Sequence, residues 1–580
     1  MCSIIVTYNE SNKSNLKLMS ETVRHRGPNS FEVWTNEHHG IAVCRLSIFG
    51  DENSPMIYKN DTTESIILLN GEIYNYDELW IDLFHKGLQR QTNLEAELIA
   101  RLYEIHDLNF VRYLKGMFAI VILNDSKLIL ARDRFGIKPL HYTKSGNKIF
   151  VSSEIKGILK HPEISPILNK NALEETSVFG YIVDQEATFF KNIYQVSPGE
   201  IVVFNDDNVV RKNKYGNLPK IEYLNGRLCT DYEELKRNTR DLIIKATEKM
   251  FCHGNMDKGI YLSGGIDSST MAFVAKKILG YPVRTFTLAD NRNSPDFQSA
   301  KKVAETLGTE HEEYIVTIND YWHALSDYIA HYECLMAGGV FDIQGGVAFH
   351  LLSQKVGKEI KVAFSGEGAD EIFGGYYWIY THPIGFSDRI RNNLKNILPN
   401  ERMDNLVNKL FPEPENELIY RQNLFNFLIH GGLSNYHLQC VDRSAGAFGF
   451  EIRPLYLYDD LSQYALELPI EFKVPDKNTT KKILRDAFRE DFDQVGLTWV
   501  NERKKLGMPY AINELDKEIS EKIDGVISDN EIKNHPLGHI VGSKMNLVVY
   551  DLFEHIFFKG WDHREPVPPE NSLLSRVWPK

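Results

Sequence analysis

Cysteine is scarce in this sequence: Cys2, Cys44, Cys229, Cys252, Cys334 and Cys440 are scattered over 580 residues. No two of them have C-x-x-C spacing, which excludes a disulfide-stapled scaffold and a zinc knuckle. Long apolar runs are also missing, and none reaches the roughly 18 residues that a membrane-spanning helix needs. The amino terminus, MCSIIVTYNESNK, lacks the basic start and apolar stretch of a signal peptide. A cytoplasmic protein with no membrane partner is therefore expected. Excess positive charge is absent too. Lys and Arg number 66 against 79 Asp and Glu, a net charge of −13, and no basic stripe suited to nucleic acid is present. What is there, 43% hydrophobic and 25% charged residues along 580 positions, is enough for more than one globular domain.

Short β-type runs with turn signals fill the first part, among them Ile66–Leu69, Met117–Leu123, Lys127–Ala131 and Ile149–Ser152, which predicts stacked sheets with a few helices over residues 2–205. The polar, turn-rich stretch that begins at Asn205-Asp206-Asp207-Asn208 predicts a linker over 206–228. Helical spacing over Asp231–Met250 then leads into an apolar strand, Gly259–Leu262. Beyond it, strand-like runs (Val283–Leu288, Ile360–Phe364) alternate with helical ones (Ser268–Leu279, Phe297–Leu307). That alternation predicts a parallel α/β sheet. A second domain over 229–560, mainly helical from about residue 389, and a tail over 561–580 complete the expected organisation.

Cys2 stands out by position. With the initiator Met removed it carries both a thiol and a free α-amine, and their reference pKa values of about 8.5 and about 8 let the amine take the sulfur's proton near neutral pH. On position alone a chance Cys after Met is the commoner case. Other segments add complementary chemistry. Arg26 and Arg45 offer guanidinium groups able to grip a carboxylate, and Asn70-Gly71, at the end of an apolar strand, offers an amide and a backbone N–H for an oxyanion. Farther on, Ser263-Gly264-Gly265-Ile266-Asp267-Ser268-Ser269 lies between a strand and a helical run. Its glycines let backbone N–H groups face phosphate, although it is not of the G-x-x-x-x-G-K-[ST] type. A third segment, Ser365-Gly366-Glu367-Gly368-Ala369-Asp370-Glu371, also follows an apolar strand. Its clustered carboxylates suggest a cation or a proton-transfer task. A basic stretch, Lys481-Lys482-Ile483-Leu484-Arg485, precedes Arg503-Lys504-Lys505-Leu506-Gly507-Met508-Pro509.

The order Cys2, His25-Arg26-Gly27-Pro28, Arg45-Leu46-Ser47, Asn70-Gly71-Glu72-Ile73-Tyr74-Asn75, Gly116-Met117-Phe118-Ala119 and Arg132-Asp133…Pro139-Leu140 resembles the glutaminase domain of N-terminal-nucleophile amidotransferases. SGGIDSS resembles the pyrophosphate loop of ATP pyrophosphatases, and SGEGADE-x-FGGY the second signature of asparagine synthetases. The chain is thus similar to the glutamine-hydrolysing asparagine synthetases from Cys2 to about Pro509.

The resemblance implies an α+β amino-terminal domain of stacked antiparallel sheets in αββα layers, followed by an α/β parallel-sheet ATP-pyrophosphatase domain with a helical C-terminal part. It also implies roles. Cys2 attacks the side-chain amide of glutamine, Asn70 and Gly71 hold the oxyanion, and Arg45, Glu72 and Glu95 bind glutamine with them. Glu95 stands where the family has Asp, and Asn29 likewise replaces an Asp. ATP contacts Leu262, Ser263, Gly264, Gly265, Asp267, Ser268, Leu288, Ser365 and Gly366. Asp267 and Asp370 bind Mg²⁺, Glu367 acts near the attacking amine, and Lys505 stabilises charge at the adenylated carboxylate. A buried, water-poor passage should join the two sites. A homodimer is the family expectation.

The acceptor stays open in the sequence. Aspartate is the family default, yet Leu455 and Tyr458 replace the family's Pro and Asp in Gly449–Tyr458, and Glu333–Gly339 also departs from the pattern. Another carboxylic acid, such as a sugar uronic acid or a specialised metabolite, is the alternative. A β-lactam-synthetase-like cyclisation is a further one, against which Cys2, Arg45 and Asn70 count.

Overall fold

The computed structural model describes residues 2–48, 55–205, 208–216, 231–254, 256–335, 343–376, 425–476, 478–504, 511–565 and 567–578, with scattered positions between 388 and 410. The first half holds β1 (Cys2–Tyr8), β2 (Ser30–Thr35), β3 (Gly40–Arg45), β4 (Tyr58–Asn60), β5 (Ser65–Ile73), β6 (Gly116–Asn124), β7 (Lys127–Arg132), β8 (His141–Ser145), β9 (Lys148–Ser152), β10 (Ile193–Gln195), β11 (Glu200–Asn205) and β12 (Asn208–Lys214). They form two six-stranded sheets, ordered β10-β8-β9-β1-β3-β2 and β12-β11-β7-β6-β5-β4. Every pairing within them is antiparallel.

Alternation along each strand explains the layers. Ile4, Val6, Ile41 and Val43 face Ile66, Leu68, Ala119 and Val121 across the space between the sheets. The alternate residues face outward. Ile5, Ala42 and Phe150 meet Leu16 and Met19 of helix Lys13–Glu21, while Ile67, Phe118 and Ile120 meet Trp80, Leu83, Leu98 and Ile99 of helices Tyr76–His85 and Glu95–His106. The result is the expected αββα stack.

The expected linker needs correction. Asn208–Lys214 is β12, the edge strand of the second sheet, paired with β11 from Glu200↔Lys214 to Asn205↔Asn208. The chain at 208–214 thus still belongs to the sheet rather than leaving it. Residues 206–207 and 217–230, the rest of that stretch, lie outside the described residues.

The second half carries β13 (Lys258–Tyr261), β14 (Arg284–Ala289), β15 (Glu310–Ile315), β16 (Val362–Ser365) and β17 (Glu451–Pro454), ordered β15-β14-β13-β16-β17 and parallel throughout. From β13 the chain builds outward to β14 and β15, then returns to place β16 and β17 on the other side. The order therefore reverses between β13 and β16, and the crevice at their carboxyl ends is where such sheets bind ligands. Both Gly-rich segments start at those two ends. The strand β17 interrupts a region expected to be helical, because Glu451 and Arg453 made it read as polar. Both are fully buried, and they pair with each other at 2.9 Å. No helix among the described residues is long and apolar enough to cross a membrane.

Candidate functional site

Cys2 opens β1, with Arg45 as its Cα partner on β3. Its backbone N donates to Asn70 Oδ1 at 2.9 Å, so the start of one sheet is tied to β5 of the other. Asn70 is fully buried, and its Nδ2 has no partner among the described residues. An unpaired buried amide donor is costly unless something accepts from it, and an oxyanion beside Cys2 would do so. Gly71 has φ +148°, and a Cβ there would lie 2.0 Å from the Met117 carbonyl oxygen. Only glycine lets β5 turn its N–H at this point. Behind Cys2, Arg26 Nε donates to the Cys2 carbonyl at 3.3 Å. The Asn29 departure keeps an acceptor oxygen, since Asn29 Oδ1 takes the Ser47 N–H at 3.0 Å and fixes the Arg45-Leu46-Ser47 segment.

Glu72, next along β5, gathers with Glu95 around His253. Both face His253, which follows helix Tyr232–Cys252, at 2.6 and 3.5 Å, and Glu72 also meets Arg453 at 3.3 Å. Glu95 Oε1 accepts the Ile73 N–H at 2.6 Å. Burial alone would lower the His253 pKa, but hydrogen bonds with Glu72 and Glu95 outweigh it and raise it to about 9. Burial pushes the Glu95 carboxyl up.

This cluster belongs to a charged seam between the halves. Arg26 pairs with Asp442 at 2.8 Å, Lys138 with Glu451 at 2.9 Å and Arg443 with Glu154 at 3.6 Å. Glu333 accepts the Ile155 and Lys156 N–H groups at 2.8 and 2.6 Å and meets Arg443 at 3.1 Å. Beside the seam lies a cavity of about 20 Å³, lined from both halves by residues including His141, Gln195, Cys334 and Arg443. Burial pushes the Cys334 and Cys440 thiols up to about 12, so neither is a nucleophile near neutral pH.

In the second crevice Ser263–Gly265 leave β13 and enter helix Ile266–Phe273. Gly264 has φ +70°, and a Cβ there would lie 2.5 Å from Ser299. The turn is closed by Ser268 Oγ, which accepts the Ser263 N–H at 3.2 Å. Leu262 and Leu288 are buried in the adjoining strand ends. Ser365 ends β16 with its Oγ buried and unpartnered among the described residues. Gly366 follows, close enough that a Cβ would lie 3.1 Å from Asp267 Cβ. Asp370, in helix Ala369–Phe373, completes the crevice, and half-exposed Glu367 lies 3.8 Å from His437 Nδ1.

Lys481 is the residue that sequence reasoning missed. Its Nζ lies 2.6 Å from Asp267 Oδ2 and 2.6 Å from Asp370 Oδ1, although its side chain is only 2% exposed. Gly375 makes room for it, since a Cβ there would lie 1.6 Å from Asp370 Oδ1 and 2.6 Å from Lys481 Cε. A signal existed in its place at the head of the K-x-I-L-R element, but composition made the segment read as a solvated face. The carboxylates fit a hard divalent cation, as both present oxygen donors and Asp267 Oδ1 is buried without a hydrogen-bond partner. Lys505 lies outside the described residues. Nearby Arg503 donates to the Ser263 carbonyl at 3.4 Å and pairs with Asp296.

Two family models match the chain. One, described as a glutamine amidotransferase domain, covers residues 1–216. The other, described as asparagine synthase, covers residues 238–539. Asparagine synthetase (glutamine-hydrolyzing) 1 of Bacillus subtilis (strain 168) is 28% identical over 92% of this chain and 90% of its own. Asparagine synthetase (glutamine-hydrolyzing) 3 of the same organism is 27% identical over 82% of this chain and 81% of its own. Among solved structures, the glutamine phosphoribosylpyrophosphate amidotransferase from B. subtilis complexed with ADP and GMP aligns at 14% identity and TM-score 0.30, covering 54% of this chain and 91% of that one.

Proposed function

The chain belongs to the asparagine synthase family and joins that domain to a glutamine amidotransferase domain, and on this premise we propose that it transfers glutamine nitrogen to L-aspartate. It is a glutamine-hydrolysing, asparagine-synthetase-type amidotransferase and therefore a ligase. In our reading Cys2 Sγ attacks the glutamine side-chain amide. The orphaned Asn70 Nδ2 and the Gly71 N–H receive the oxyanion. Arg45 holds the substrate carboxylate, and Glu72 and Glu95 flank the glutamine site. Glu95 commits Oε1 to Ile73 and His253, which leaves Oε2 for the substrate amino group.

A carboxylate is a poor electrophile, so the second crevice must activate it. Leu262, Ser263, Gly264, Gly265, Ser268, Leu288, Ser365 and Gly366 cradle ATP, with the helix at Ile266 turned toward its phosphates. Asp267 and Asp370 would hold Mg²⁺, which when bound neutralises phosphate charge. Lys481, poised between the same carboxylates, stabilises negative charge at the adenylate and pyrophosphate, with Lys505 as a second cation. Glu367 takes a proton from the attacking ammonia. The product amide, AMP and pyrophosphate then leave.

The observation that carries the reading is Lys481 lying between Asp267 and Asp370, at the end of the crevice formed by β13 and β16. Aspartate is favoured as acceptor because the departures from the family pattern that fall among the described residues are structural, residues 336–339 lying outside them. Leu455 and Tyr458 are 0% and 2% exposed within the core, and Glu333 buttresses the seam. The test is pyrophosphate release with ATP, Mg²⁺ and glutamine, with and without L-aspartate, the amide being identified by mass. Aspartate-dependent pyrophosphate together with asparagine supports the reading, and glutaminase activity without it moves the acceptor to another carboxylic acid. Cys2→Ala should abolish glutamine use and spare synthesis from added ammonia. Loss of both activities with the fold intact would refute this division of labour.

A further inference from the structure

Apart from the Asp267 and Asp370 pair, three groups of metal-ligating side chains occur among the described residues. Cations already occupy two of them. Glu154, beside His25 and His331, binds Arg26 and Lys156 at 2.9 and 2.8 Å. Glu72, beside Glu95 and His253, binds Arg453 at 3.3 Å. The third group, Asp327, His331 and His563, forms where the C-terminal tail folds back on helix Ile318–Tyr332. Asp327 and His563 line a cavity of about 560 Å³ there, together with Trp322, Trp561 and Trp578.

We propose that Asp327, His331 and His563 bind a late first-row divalent cation of the Zn²⁺ class, which fastens the tail to this helix. Asp327 and His331 are four residues apart and share one helical face. Nε2 of His331 lies 3.6 Å, and Nε2 of His563 3.5 Å, from Asp327 Oδ1. Tetrahedral donors about 2.0–2.1 Å from zinc stand about 3.3–3.4 Å from one another, against about 2.9 Å in an octahedron. The two separations from Asp327 therefore need to shrink by only a few tenths of an ångström, and the two histidine nitrogens lie within 4.8 Å of each other. Surrounding partners orient the ligands. His350 Nε2 lies 2.7 Å from Asp327 Oδ2 and leaves Oδ1 to face the histidines. Asp562 Oδ1 lies 3.9 Å from His563 Nδ1. The cavity admits water to the fourth position.

The proton balance is simple. Lys156 Nζ lies 3.0 Å from His331 Nδ1, so the metal-free imidazole carries its hydrogen on Nε2. On cation binding that proton passes to Nδ1 as the neutral imidazole changes tautomer, and the Lys156 ammonium turns to Glu154 and the Ala330 carbonyl. No proton is released by this change, and no redox change occurs.

The test uses the full chain, stripped of metal and titrated with Co²⁺ in excess Mg²⁺, which keeps Asp267 and Asp370 occupied. One equivalent of Co²⁺ should give the strong visible absorption of a four-coordinate ion, and Zn²⁺ should displace it. His563→Ala and Asp327→Asn should each weaken binding by about 100-fold or more, with glutaminase activity retained as the check on folding. Absence of the four-coordinate band in the parent chain, or its persistence in both variants, overturns the proposal.

Discussion

Lys481 occupies the left-handed backbone region at φ +54°, where a non-glycine residue costs of order 1–3 kcal/mol. The chain tolerates this because the conformation sends Nζ between two carboxylates that would otherwise repel each other. Lys481→Met should lower pyrophosphate release by about 10²–10³-fold while leaving glutamine hydrolysis intact. Assaying both half-reactions on one preparation checks this, and equal loss of the two would mean that Lys481 only supports the fold. Gly71 gives the opposite split. Gly71→Ala drives a methyl into the Met117 carbonyl, so glutamine hydrolysis should fall to background while ammonia-dependent synthesis persists.

Helix Ile318–Tyr332 shows how an element carries information between the halves. A capping box of Thr317 and Asp320 starts it, and Glu333 ends it at φ +59°. Thr317→Ala should cost about 0.5–2 kcal/mol, read as a lowered denaturation midpoint. Glu333→Gln should cost at least as much, about 1–3 kcal/mol, because it takes from buried Arg443 the nearer of its two carboxylates and leaves Glu154 at 3.6 Å. This helix was not read from the sequence, whereas elements were legible wherever apolar spacing was regular, as in β5 to β7 and the run into Ser263. Where charge serves the interior, the pattern misleads. The strand β17 hides behind the buried Glu451 and Arg453, while β15 is an edge strand whose exposed Glu310 and part-exposed Glu312 and Glu313 break the apolar pattern from the solvent side. The sites follow the same rule. Cys2, Asn70, Asp267 and Asp370 lie in recognisable motifs, whereas His253 follows a helix end with no motif around it, and its role exists only once the halves meet.

The whole molecule closes on that meeting. Arg26, Lys138, Lys156, Arg443 and Arg453 face Glu72, Glu154, Glu333, Asp442 and Glu451, all of them buried. His253 adds a pH dependence. Its folded pKa of about 9 exceeds its ordinary value of 6.5, so its stabilisation is complete below 6.5 and fades as pH rises through about 9. Denaturant midpoints measured across that window should decline, and His253→Gln should flatten the decline. The seam also bears on how such enzymes can be recombined. Grafting this glutaminase half onto a synthetase half without counterparts of Glu451 and Arg453 would deprive Lys138 and Glu72 of those partners, and uncompensated interior charge is among the costliest defects a fold can carry. Successful chimeras will therefore be those whose incoming half presents the same counter-charges across the seam.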